Sequence, residues 1–352
     1  MLINRRNCIQ LGAAAFGSSL LGTERLLAQG ARLSATSGVP VSSLSYMAQD
    51  IALAKGFMSA EGLDLKTLTA GGGSKLREIV AAGQIEFGIG DSNHPLLLTN
   101  RGRPAKILVA LDNRSPLASV VIRQDLYDQG LTSLEKIGNW KRPDGSKPVF
   151  AVSSLGGGQH VYLSYIAEKA SVADKFVWLA GGAEKTMLGG LSTGKFDVIA
   201  AMPNWRFEAV AKKWGTVVFD VADDATWNRS FGGPVPSTVA FALQTTVDRK
   251  PELVQAYVNG LYKALQWMKT ASNDDIYAAV ADRYTSDFAA ETVRREIEFL
   301  KPIHSYSGVV DEAQFANLAP ILFRDMTEMK PVSYAQAVDA RFLENARKKH
   351  GG

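Results

Sequence analysis

Two stretches of the chain repeat one pattern in register. The first runs Ala70-Gly71-Gly72-Gly73, an apolar-periodic segment, Gly83-Gln84-Ile85-Glu86-Phe87-Gly88-Ile89, then the polar Asp91-Ser92-Asn93. The second runs Gly181-Gly182-Ala183-Glu184, a similar segment, Gly194-Lys195-Phe196-Asp197-Val198-Ile199-Ala200, then Met202-Pro203-Asn204. Asn93 and Asn204 fall at equivalent places. In each stretch a glycine turn feeds a short helix, and a Gly-x-x-acid step leads into a buried strand. One βαβ-like unit in each half predicts two similar α/β lobes facing each other across a cleft.

The N-terminus reads as a targeting segment. Arg5-Arg6 precede Asn7-Cys8-Ile9-Gln10, a weakly apolar run from Leu11 to Leu21, and the small residues of Ala28-Gln29-Gly30-Ala31. Paired arginines, a mild apolar core and a small-residue exit predict a twin-arginine export signal over residues 1–30, cleaved near 28–31. The run is short of the roughly 20 apolar residues a membrane span needs. Cys8 is the only cysteine and lies inside that segment. The exported chain would hold no thiol for a disulfide, a thiolate metal site or a nucleophile. Arg5, Arg6, Arg25 and Glu24 carry two of the chain's +4 net charges, leaving +2. With no Lys/Arg-rich run, nucleic acid is not an expected partner.

The rest of the chain, long enough for about two domains, alternates strand and helix signals. Strands are expected at 31–36, 63–68, 85–89 and 106–111, and again at 119–123, 149–152, 177–179, 198–201, 217–221 and 239–243. Helices are expected at 46–55, 74–82 and 96–100. Beyond residue 243 the chain turns helical, with a helix from Pro251 capped by Asp248 and others near 290–300, 311–325 and 333–347. Alternating β and α implies mostly parallel sheets covered on both faces.

In open α/β sheets ligands sit outside the carboxyl ends of the strands, at helix N-termini whose free N–H groups favour anions. The loops at those points supply the candidate ligand-binding residues: Ser45 and Tyr46; Gly73 and Ser74; Ser92, Asn93 and His94; Ser153, Ser154, Gly158, Gln159 and His160; Asn204 and Trp205. Glycine admits close approach, serine adds donors, and Tyr46 or Trp205 could stack on a ligand. His94 and His160 are expected to hydrogen-bond an anion. Without a paired carboxylate they do not make a metal site.

Three enzyme patterns are near misses. Gly189-x4-Gly194-Lys195 imitates a phosphate loop, but Phe196 replaces Ser/Thr and a strand follows where it should precede. No G-x-G-x-x-G opens the first βα unit. Gly90-Asp91-Ser92-Asn93 resembles the nucleophile block of Gly-Asp-Ser esterases, yet the Asp-x-x-His of that family is missing near the C-terminus.

Further pieces run through nearly the whole chain past residue 30: Tyr46-Met47-Ala48 to Ala54-Lys55-Gly56-Phe57, Glu61-Gly62-Leu63-Asp64-Leu65, Gly83 to Gly88, Gly130-Leu131-Thr132-Ser133-Leu134, Gly194 to Val198, and Lys250-Pro251-Glu252-Leu253-Val254. In these the chain resembles the type II periplasmic solute-binding proteins of ABC importers, most of all the nitrate/sulfonate/taurine group, which includes binders of thiamine pyrimidine precursors. The resemblance implies two lobes joined by crossing segments, each a mostly parallel sheet flanked by helices. Lobe I would hold 31–114 and 223–352, and lobe II 115–222. It implies a periplasmic receptor, not an enzyme and without a cofactor, that delivers a small organic anion to a membrane permease. Sulfonates lead as ligand class, followed by aromatic acids and pyrimidine precursors. A secreted esterase using Ser92 and a sensor on the same fold are the alternatives. The Trp140 to Lys147 stretch departs from the family's tight turn, as an insertion hairpin or a partner contact. The cysteine cluster of the pyrimidine-synthesising relatives is absent.

Overall fold

The Gly-x-x-acid step of each repeat ties one strand to its neighbour in the same way. Gly83 and Gly194 hold left-handed backbone, with φ of 68° and 77°, which glycine adopts without a Cβ penalty. Three residues on, the Glu86 carboxylate accepts the backbone N–H of Thr36 at 2.9 Å. Asp197 likewise accepts the N–H of Val149 at 2.8 Å. The following residue enters the strand in both cases.

The structure is a computed structural model and describes residues 32–324 and 330–351. The expected export segment, residues 1–30, lies outside the described residues. The described residues from Leu33 onward form one compact unit. Its strands are β1 (Leu33–Val39), β2 (Leu63–Thr69), β3 (Phe87–Asp91), β4 (Ala105–Ala110), β5 (Ser119–Arg123), β6 (Val149–Val152), β7 (Val177–Ala180), β8 (Val198–Ala201), β9 (Gly215–Phe219) and β10 (Thr238–Leu243). They form two sheets of matching plan, β2-β1-β3-β10-β4 and β7-β6-β8-β5-β9. In the first, β1 runs parallel to β2 and β3 while β10 is antiparallel to β3 and β4. In the second, β6 runs parallel to β7 and β8 while β5 is antiparallel to β8 and β9. The register matches as well. Phe87 pairs with Ser37 and Ile89 with Ala240; the equivalent Val198 pairs with Phe150 and Ala200 with Val120. This is the two-lobed, mostly parallel α/β fold expected from the sequence.

Central strands of both sheets are buried along their length, as a sheet covered on both faces requires. Helices supply the cover. The Pro251–Thr270 helix starts on proline and buries Leu253, Val254, Tyr257, Val258, Leu261, Leu265 and Met268. Asp248 does not cap it. Its carboxylate accepts from Gln244 inside the preceding Gln244–Arg249 helix, and Lys250 takes the cap position. The helix expected over 333–347 is two, Tyr334–Ala337 and Arg341–His350, because extended Val338 makes a parallel bridge to Ile107. A helix not anticipated, Asn273–Tyr284, carries a capping box from Ser272 and Asp275.

Two crossing segments link the sheets. The Arg114 guanidinium donates to the carbonyls of Val221 at 3.3 Å and Ala222 at 3.2 Å and pairs with Asp224. It therefore bridges the outgoing strap to the returning one. The Trp140–Lys147 stretch closes in a tight turn, Arg142 N–H to Ser146 carbonyl at 3.0 Å. Arg142 reaches out of it to Asp197 at 2.6 Å and to the carbonyls of Gly194 and Lys195, both at 3.0 Å. With Arg123 Nη1 at 3.1 Å it neutralises that buried carboxylate.

Candidate functional site

Loops at the carboxyl ends of β1, β2 and β3 face those of β6, β7 and β8 across a cavity of about 600 Å³. Five helices begin at this cavity: Gly73–Ala81, Asn93–Asn100, Gly158–Lys169, Glu184–Ser192 and Pro203–Ala211. Their first turns leave backbone N–H groups without intrahelical partners and a partial positive charge. Gly71 and Gly72, at φ of 85° and 147°, allow the sharp entry into the first of these helices.

The first lobe lines the cavity with Tyr46, Gly73, Ser74, Asn93 and His94, which are among the sequence candidates, together with Arg77 and Asp91. Arg77 Nη1 lies 3.0 Å from His94 Nδ1, and Nη2 donates to Ser74 Oγ at 2.9 Å. A guanidinium only donates, so Nδ1 accepts and the imidazole proton sits on Nε2. Burial, then the Arg77 charge, push His94 down to about 3. The ring is therefore neutral at physiological pH, a hydrogen-bond donor through Nε2 and not a cation. A methyl group at Gly73 would lie 3.1 Å from Nε2, and one at Gly90 2.8 Å from Cδ2. These two glycines make room for the ring. Arg77 Nε is buried without a partner, and so is Asn93 Oδ1.

Asp91 accepts the N–H of Asn93 at 2.9 Å. Its other oxygen crosses the cleft, since a methyl group at Gly158 would stand 2.4 Å from Asp91 Oδ2. The helix N-terminus that the sequence offers to a ligand anion thus faces the protein's own carboxyl group. Burial pushes Asp91 up to about 6.

The second lobe contributes Ser153, Ser154, Gly158, Asn204 and Trp205, together with Leu155, Gly182, Glu184 and Met202. Asn204 Nδ2 donates to Glu184 Oε2 at 3.4 Å. Glu296, from the Ala290–Leu300 helix, completes the lining with Phe288. It is 3% exposed, and burial followed by the charge of Glu184 pushes it up to about 8.

Four expected residues do not line the cavity. Ser45 accepts from Ser43 Oγ at 3.2 Å, its backbone N–H returning to the same oxygen, so it is spent within its own turn. Ser92 is wholly buried, so its hydroxyl is not presented at the cavity as the esterase alternative requires. Gln159 Oε1 accepts the Ser153 N–H at 2.9 Å and holds the serine loop from behind. His160 Nδ1 accepts the Gly156 N–H at 3.1 Å, and its ring meets Trp178 edge-on at 5.2 Å. It does not meet His94 at the cavity. Among the described residues, no group of three or more His, Cys, Asp or Glu is placed to hold a metal ion. Arg77 could have been read from the sequence, since it lies one helical turn past Gly73 and therefore on the same face. Glu296 had no local signal, because a helix far along the chain delivers it.

Residues 42–282 match the model of the NMT1-like family. The chain belongs to that family. Its likeness to solved structures extends over nearly the whole length. A protein of Bordetella bronchiseptica RB50 is 22% identical, with a TM-score of 0.75 over 92% of this chain and 99% of that one. The periplasmic nitrate-binding protein NrtA of Synechocystis PCC 6803 is 14% identical, with a TM-score of 0.70 over 90% of this chain and 89% of its own. The periplasmic aliphatic sulphonate binding protein SsuA of Escherichia coli is 13% identical, with a TM-score of 0.66 over 87% and 92%. At such identities the likeness is one of fold, and it places this NMT1-like chain among two-lobed α/β proteins.

Proposed function

We propose that the chain is an exported solute-binding receptor of an ABC import system, which closes its lobes on a small organic anion and presents it to a membrane permease. The observation that carries this reading is the shared cavity, walled by helix N-termini and serine/glycine loops from both sheets. Solved neighbours of this fold bind nitrate and sulphonates. The anionic head would meet the unpartnered Arg77 Nε, the Ser74 hydroxyl and the free N–H groups at Gly72–Ser74, with Ser153 and Ser154 opposite. Charge-assisted donors of this kind are the strong ones. Sulfonates, taurine among them, lead as the ligand class, and no chemistry on the ligand is part of the reading. Closure would turn on the straps at 112–116 and 220–224.

A thermal-shift screen over sulfonates, nitrate, aromatic acids and pyrimidines tests it. A ligand at about 100 times its Kd should add roughly 2.7 kcal/mol of stability. A protein that no member of the screen stabilises, with Ser154→Ala indistinguishable from wild type in every condition, would remove the cleft from consideration.

A further inference from the structure

The charge around the cavity does not suit a ligand that is anionic throughout. Arg77 is the cation in its lining, against Asp91, Glu184 and Glu296. A second hollow of about 440 Å³ adjoins the cavity, sharing Glu184, Asn204 and Phe288 with it, and adds Glu208, Asp287 and Glu291 against Arg295. Several of these charges have partners. Glu208 pairs with Lys212, Asp287 accepts from Ser42, and Arg295 lies over the Phe207 ring. Glu296 does not. It is more than nine-tenths buried, it lines the cavity, and no described residue donates a hydrogen bond to it. The charged group that acts on it is another carboxylate, Glu184, from the opposite lobe.

A buried carboxyl without a protein partner, opposed by a like charge, stays neutral by keeping its proton until an opposite charge arrives. Trp205, 6% exposed in the same lining, hydrogen-bonds Glu184 through its side chain, and it brings beside that carboxylate a ring of the kind an ammonium group favours.

We infer that Glu184 and Glu296, one from each lobe, form a subsite beside Trp205 for a positively charged nitrogen of the ligand. The cleft would then select dipolar molecules over plain anions. This rests on the receptor reading above and supplies the other end of its ligand. Arg77 and Ser74 take the acidic head, and the carboxyl pair takes the basic one. The proton on Glu296 leaves when the cation docks, because the new charge replaces what the proton supplied. The acidic hollow draws molecules carrying a positive end towards the pair.

The test is calorimetric titration of the full chain at pH 7 with matched probes, 2-aminoethanesulfonate against ethanesulfonate and 3-aminopropanoate against propanoate. The amine-bearing member of a pair should bind at least about tenfold more tightly. Glu184→Gln and Glu296→Gln should each erase most of that preference, by weakening the amine-bearing member of a pair far more than its plain partner, with circular dichroism confirming the fold. Binding heats in phosphate and Tris buffers should differ by the proton released, and Glu296→Gln should remove the difference. Equal or tighter binding of the plain anions, or a preference that survives both substitutions, overturns the subsite while leaving the receptor reading intact. If neither these probes nor any compound of the wider screen binds, the receptor reading falls and the subsite with it.

Discussion

Asp91 of the first lobe and Gly158 of the second meet across the cleft so closely that a single methyl group between them would stand 2.4 Å from the carboxyl oxygen Oδ2. The repeat that makes the lobes alike does not extend to this contact. Position 91 bears a carboxyl group, whereas Met202 occupies the equivalent place in the second lobe.

Gly158→Ala should therefore push the Asp91 side chain away from the helix start. The expected loss is about 1 kcal/mol of stability, of the size found for modest overpacking. Urea unfolding measures it. Adding Asp91→Ala should return most of the loss, and a double variant as unstable as the sum of the singles would refute the contact.

Arg114→Ala removes the bridge between the crossing segments and leaves the carbonyls of Val221 and Ala222 without that donor. A loss of about 2 kcal/mol is expected for charge-assisted bonds in a half-buried setting. Small-angle scattering of the variant should show a wider unliganded protein. An unchanged radius of gyration would count against the strap as a restraint.

Arg142→Ala should destabilise the chain by about 2 kcal/mol, because buried Asp197 keeps Arg123 but loses its shorter ion pair. Thermal unfolding at high and low salt checks this. A surface-exposed pair would fade with salt, and this one should persist.

Two pH limbs follow from burial. His94 lies at about 3 and His304, whose Nδ1 is 2.8 Å from the Leu111 carbonyl, at about 4. Both are below the unfolded value of 6.5, so between those limits the unfolded chain binds more protons. The histidine contribution is complete above pH 6.5 and is lost as pH falls towards 4, by about 1 kcal/mol per histidine per pH unit. Denaturant titrations of His94→Asn should show a shallower acid limb than wild type.

Glu296 works in the opposite direction. Its folded value of about 8 lies above the ordinary 4.5, so the folded protein holds the extra proton between them. That stability is full below pH 4.5 and is lost as pH rises through about 8. Asp112, pushed up to about 7 by burial, adds to the same limb. Glu296→Gln should flatten stability between pH 4.5 and 8, measured by chemical denaturation. A slope identical to wild type would show that Glu296 is already ionised in the folded state.

Much of this protein is legible in its amino-acid order. Apolar runs flanked by glycine turns marked the strands to within a few residues, because a buried strand must be apolar along its length. The Gly-x-x-acid step marked the lobes, because both halves solve the same local problem: a left-handed turn and a carboxylate for a backbone N–H of the neighbouring strand. The serine and glycine loops at the strand ends were likewise readable, being short-range chemistry at helix starts.

Two α/β units and the loops at their open ends follow from residue order alone, since both depend on neighbours a few residues apart. Which side chains share the space between them is a matter of how the folded chain packs. Ser92 and His160 differ from Ser74 and His94 by the direction a helical turn points them, and loop composition does not encode that direction. Arg77 reaches His94, Asp91 reaches Gly158, and Glu296 feels the charge of Glu184 from the other lobe. Burial of a charge against another charge is a property of distance in space, and segments far apart in the chain bring these groups together.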